Sequence, residues 1–223
     1  MNKLKYLAAV LIGIAGLGLQ PVKADVCNYC LSVGNSAISG FAGPYATVSI
    51  NLINSTTATV TFTSSVHNGN IYLFGDGGSV AINVNAATFT VSGITGTNSG
   101  TGFTPGPFST SSGNEDGFGS FNLKIDSFDG FTHSSDQITF TLTNTSGTWA
   151  SCSDVTVANA NGFILGAHIF VTTFPANAAN GAIVTGFAAN GACPTGVPDG
   201  GATVMLLGAA LGLLGMARRF LKM

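Results

Sequence analysis

Residues 57–63 read Thr-Ala-Thr-Val-Thr-Phe-Thr. In an extended chain, successive side chains point to opposite faces. Ala58, Val60 and Phe62 therefore share one face, and Thr57, Thr59, Thr61 and Thr63 the other. A helix would scatter the same residues around its axis, so this heptad predicts a strand with one buried and one solvated side. The pattern recurs nearby. Phe121, Leu123 and Ile125 alternate with Ser120, Asn122 and Lys124, and Ile138, Phe140 and Leu142 alternate with Gln137, Thr139, Thr141 and Thr143. Further strands are expected at 45–53, 71–74, 79–84, 88–94, 154–158, 163–171 and 182–187.

Turn dipeptides separate these runs: Asn68-Gly69, Asp76-Gly77, Asp116-Gly117, Asp129-Gly130, Asn161-Gly162, Asn180-Gly181 and Asn190-Gly191. No apolar stripe at helical period lies between the strands, so the crossover helices of a parallel sheet are missing. The fold class expected for residues 25–196 is all-β, an antiparallel β-sandwich of jelly-roll type. Residues 95–119, rich in Gly, Ser, Thr and Pro, read as its longest loop. Of the 16 phenylalanines, 15 lie in this body. That aromatic content separates it from a disordered chain of equally low charge.

The two extremities have a different character. Lys3 and Lys5 precede an apolar run from Leu7 to Leu19, and Val22-Lys23-Ala24 offers a small-residue cleavage site; residues 1–24 are thus expected to be a signal peptide. At the other end, Val197-Pro198-Asp199-Gly200-Gly201 leads into an uncharged apolar run from Ala202 to Ala217, followed by Arg218, Arg219 and Lys222. As a helix that run would be about 24 Å long, a little short of a ~30 Å hydrocarbon core, and the basic side chains can extend to the headgroups. A transmembrane helix at 202–217 is the expectation, with the basic cluster cytoplasmic and the body outside.

This order of motif, apolar helix and basic cluster over residues 197–223 resembles the PEP-CTERM sorting signal in its VPD-type variant, with Asp199-Gly200 where the founding pattern has Glu-Pro. The resemblance implies a substrate of an exosortase-type membrane enzyme, which would process the chain after the secretion machinery exports it. Transient anchoring by the C-terminal helix would then give way to display at the cell surface or release outside the cell. It also implies that the chain is acted upon rather than being an enzyme.

Charge follows the same partition. Lys124 is the one Lys or Arg between residues 25 and 201, a stretch that holds all nine Asp and Glu residues. Such a surface repels phosphate, which argues against nucleic acid as a partner. Four cysteines, Cys27, Cys30, Cys152 and Cys193, are an even number in an exported domain and predict two disulfides, with the pairing open among three connectivities. Cys27-Asn-Tyr-Cys30 has no following His for haem attachment, no βαβ context for a thioredoxin-like site and no second close pair for zinc.

Glu115, Asp116, Asp126 and Asp129 sit in expected turns and are the candidates for calcium, although EF-hand spacing is missing. Solvated turn carboxylates are the competing reading. No metal or other cofactor is otherwise indicated. A nucleophile elbow and a zinc-protease helix are both lacking, and His67, His133 and His168 read as structural. Trp149 and Tyr72 are candidate sugar-stacking residues or core. Two functions follow. One is a non-enzymatic surface or matrix protein associated with exopolysaccharide; the other is a glycan-binding module or, further off, a glycan-active enzyme.

Overall fold

The computed structural model describes residues 25–193. The expected signal peptide, sorting motif, transmembrane helix and basic cluster all lie outside the described residues. Within them are twelve strands, four short 3-10 turns and no α-helix. The strands are β1 (Asp25–Gly34), β2 (Ala46–Asn54), β3 (Thr57–Ser64), β4 (Val66–His67), β5 (Asn70–Phe74), β6 (Val80–Ile82), β7 (Phe89–Thr97), β8 (Ser109–Glu115), β9 (Gly119–Asp126), β10 (Gln137–Asn144), β11 (Leu165–Thr173) and β12 (Val184–Gly191). No helix of the described residues is long and apolar enough to cross a membrane.

The all-β, antiparallel expectation holds in every strand pair. The expected division into two stacked sheets does not emerge from the hydrogen bonding. A continuous path runs β7-β10-β3-β2-β1-β12-β11-β6-β9-β8, with β5 joined to β11 and β4 to β5. This sheet curls around one main core. Phe62 of β3 meets Phe74 of β5 across the interior, ring centroids 6.2 Å apart, and stacks on Phe140 at 6.3 Å. The path's two ends approach each other: Phe89 and Val91 of β7 and Thr110–Ser112 of β8, with Asn122 and Leu123 of β9, line an open gap of about 370 Å³. Period-two alternation fixes which face is buried. It does not fix whether the opposing apolar face belongs to a second sheet or to the far limb of the same one.

The quoted heptad sits at the centre of the most regular part. Thr57–Thr63 pairs with Gln137–Thr143 on one side and with Thr47–Asn54 on the other. Ala58, Val60, Phe62, Ile138, Phe140 and Leu142 are fully buried. On the outer face, Thr61 and Thr139 join hydroxyls at 3.1 Å.

Two disulfides staple β1: Cys27–Cys152 and Cys30–Cys193, with Cα–Cα distances of 5.6 and 5.0 Å. Cys27, Tyr29 and Leu31 pack on the main core. Cys30, an odd step away from Cys27, faces the other way, so each cysteine must find its partner on a different side of the sheet. The four cysteines are thereby fully paired.

Other sequence expectations shift. β8 lies inside the stretch read as the longest loop; its sequence, Ser-Thr-Ser-Ser-Gly-Asn-Glu, carries no inward apolar side chain to announce a strand. β1 was not among the expected strands. Cys152–Val155 is a 3-10 turn with a Ser151–Asp154 capping box, and Thr156 makes only an isolated bridge to Val84, so no strand forms at 154–158. Asn190-Gly191 lies in β12 rather than in a turn. The Asn190 side chain instead accepts from the Ile164 and Leu165 N–H groups at 2.9 and 3.0 Å.

Candidate functional site

The hairpin of β8 and β9 ends in a turn at residues 116–118 that folds over the outer face of β6, β11 and β12. Phe118 and Phe121 pack there on Ala81 and Ala189, with Phe163 and Phe187 at the margin. Asn35 ties the turn down: its Nδ2 donates to Asp116 Oδ2 at 3.3 Å, while its Oδ1 accepts from the Phe187 N–H at 3.2 Å. Beneath the hairpin, Glu115 is completely buried.

The Glu115 carboxylate pairs with Lys124 Nζ at 3.2 Å and has no hydrogen bond from another donor. It rests against Gly78, where φ is +70° and a Cβ would collide with the carboxylate oxygens. Burial pushes Glu115 up to about 7, against the opposing pull of Lys124. Asp126 lies close by and accepts the Gly78 N–H at 2.6 Å. His168 stacks on Phe187 with ring centroids 4.4 Å apart, and its Nδ1 has no hydrogen-bond partner. Burial holds the His168 imidazole below its ordinary value. Two acids in contrasting environments beside a histidine carry the ingredients of acid–base chemistry. Yet Glu115 is sealed from solvent, and no solute can reach it while the hairpin tip stays down.

The four calcium candidates do not converge. Glu115 is spent on Lys124, Asp116 on Asn35, Asp126 on Gly78, and Asp129 stands exposed in its turn. Among the described residues, no group of three or more His, Cys, Asp or Glu side chains is arranged to hold a metal ion. Trp149 and Tyr72 are both core residues; Trp149 Nε1 donates to the Asn85 carbonyl at 2.8 Å and the Tyr72 hydroxyl to the Ala42 carbonyl at 2.7 Å. His133 Nδ1 lies 2.9 Å from the Thr104 carbonyl oxygen, and its ring meets Phe128 edge-on at 4.9 Å.

An accessible recess lies elsewhere, where the end of β3, the start of β10 and the end of β7 meet the outer side of β5. Its volume is about 330 Å³. Ile71, Leu73 and Ala176 belong to a small apolar cluster behind it. Val66 and Phe174, 61% and 69% exposed, stand among its lining residues. The polar wall is internally braced. Asp136 accepts from Thr97 Oγ1 at 2.8 Å and from the Ser99 N–H at 2.6 Å. Asn98 Nδ2 donates to the Ser134 carbonyl at 2.8 Å, and Gln137 Nε2 to Thr63 Oγ1 at 3.3 Å. Sequence reading missed this recess. Its residues come from five separate segments, and Phe174 follows β11 in a stretch with no motif.

A family model described as the VPDSG-CTERM motif matches residues 196–220. That span contains Val197-Pro198-Asp199, with Gly200 where the motif's name spells serine, then the apolar run and Arg218-Arg219. The chain thus carries a PEP-CTERM-like C-terminal sorting signal, the mark of an exported protein sorted through its tail. No curated protein and no solved structure matches the chain.

Proposed function

We propose that this chain is a non-enzymatic cell-surface or extracellular-matrix protein, exported behind a cleaved leader at residues 1–24 and then processed at its tail by an exosortase-type enzyme. In this reading, residues 202–217 hold the chain in the membrane while Arg218, Arg219 and Lys222 stay on the cytoplasmic side. The enzyme acts near Val197–Gly201, and the β body is released or displayed.

The observation that carries the proposal is the sorting motif at 196–220. Two disulfides in the body support it, because such bonds persist in oxidising compartments. The non-enzymatic part draws support from the way the most perturbed titratable groups, Glu115 and His168, are locked into packing rather than opened to a solute. The threonine-lined outer face of β2, β3 and β10 suits a protein that meets solvent and hydrated polymer.

Intact mass spectrometry of the protein from its own host tests the whole sequence of events. The expected species lacks residues 1–24 and the segment beyond the motif, and carries no free thiol. A mature chain that retains Arg218–Met223 would overturn tail processing. Reduced cysteines in a cytosolic fraction would overturn export.

A further inference from the structure

We propose that the recess between Phe174 and Asp136 is a binding site for an uncharged saccharide, one sugar residue of a neutral glycan at a time. This assignment rests on the reading of the body as a domain displayed outside the cell, and gives that domain a ligand class.

Size comes first. A volume of about 330 Å³ is near the lower end of the ~300–1,000 Å³ typical of small-molecule sites, which favours a compact ligand over an extended one. The lining then selects its chemistry. A sugar ring has an apolar C–H face and a belt of hydroxyls, and needs an exposed apolar surface beside fixed hydrogen-bonding groups. Phe174 and Val66 provide the first at unusually high exposure, backed by Ile71 and Leu73. Asp136 and Gln137 provide the second.

The two Asp136 oxygens are oriented by Thr97 and Ser99 and keep further acceptor capacity for ligand hydroxyls. Because the protein already braces these groups, little side-chain freedom remains to be lost on binding.

Charge narrows the class again. Lys124 is the one Lys or Arg among residues 25–193, and it is paired with Glu115 under the β8–β9 hairpin. The recess therefore has a carboxylate and no Lys or Arg to meet an anion, and a uronate, sulfated sugar or nucleotide would be repelled. A neutral sugar matches both the apolar surface and the unbalanced acceptor. Phe174 is anchored at its backbone, where its N–H donates to the Gly69 carbonyl at 3.1 Å, which keeps the residue at the rim of the recess.

The test uses the exported, fully oxidised protein and saturation-transfer NMR against cellobiose, maltose, chitobiose and a galacturonic acid dimer, with a neutral tripeptide as the non-sugar probe. At least one neutral disaccharide should bind saturably. Phe174→Ala and Asp136→Asn should each weaken it tenfold or more, while Val33→Ala, at an exposed site on β1, leaves it unchanged. Thermal melting confirms that each variant folds. No saturable binding to any neutral sugar overturns the assignment, as does binding indifferent to Phe174→Ala, or a preference for the uronate or the tripeptide. Any of these leaves the proposed sorting intact, since that is judged by the masses of leader and tail.

Discussion

The wall formed by β2, β3 and β10 and the limb formed by β6, β9 and β11 have the same backbone pairing and opposite outer faces. The wall's outer face carries threonines, a half-buried hydroxyl pair and no second layer. The limb's outer face is covered: Phe118, Phe121 and Glu115 are buried at the β8–β9 hairpin tip, while on β11 Phe170 is buried in a separate cluster with Ile71, Leu73 and Ala176, and His168 is half-buried. Alternation of apolar and polar residues describes a strand with one wet side. Where both sides are covered, the alternation fails, and polar groups are held inside by individual partners instead.

The difference can be broken most forcibly in the wall. Phe62→Ala removes a ring that touches both Phe74 and Phe140, and should cost about 3–5 kcal/mol in urea or thermal unfolding. The limb should respond to pH instead. Glu115 has its ordinary value of 4.5 when unfolded and about 7 when folded, so the folded chain holds the proton more tightly. Stability contributed by the protonated form is complete below pH 4.5 and is lost as pH rises through 7, on the order of 3 kcal/mol. His168 works in the opposite sense below its ordinary 6.5, because its protonation is disfavoured in the fold. The Glu115→Gln variant separates the two. Between pH 4.5 and 8 its stability relative to the parent should move in its favour by about that amount, and parallel curves would refute the buried-acid account.

Two glycines sharpen the contrast at smaller scale. Gly78→Ala meets the Glu115 carboxylate as well as an unfavourable φ of +70°, and should lose about 2–3 kcal/mol. Gly69→Ala, at φ +80° in the Asn68-Gly69 turn with open space around it, should lose only about 1–2 kcal/mol. The smallest effect is expected on the threonine face: Thr139→Val breaks the hydroxyl pair with Thr61 and should change stability by less than about 1 kcal/mol, measured by the urea midpoint.

What the sequence made legible follows the same division. Thr57–Thr63 and Gln137–Thr143 announce their strands and faces because each inward position is apolar and each outward one polar. β8 was invisible because Ser109–Asn114 buries nothing of its own; its strand identity comes from pairing with β9. The curl was hidden too, since no local pattern says that β7 and β8 will approach from opposite ends of one sheet. The disulfide pairing was not legible at Cys27 and Cys30, because β1 was not among the expected strands. In an extended strand a spacing of three sends them to opposite sides, which excludes their pairing with each other in regular β1 geometry. The C-terminal sorting motif was legible, being a linear pattern read along the chain. The recess beside Phe174 was not, because it exists only after five segments have been brought together.

The Cys30–Cys193 bond has a mechanical consequence. It joins residues 163 positions apart, one in the first strand and the other immediately before the tail. Tension applied between the beginning of the body and its tail runs from Asp25 to Cys30, crosses the sulfurs and leaves at Cys193, so nearly the whole domain is shunted out of the line of force. Stretched from its ends, the oxidised protein should lengthen by only a few residues' worth of chain, whereas a reducing agent should let the entire loop pay out.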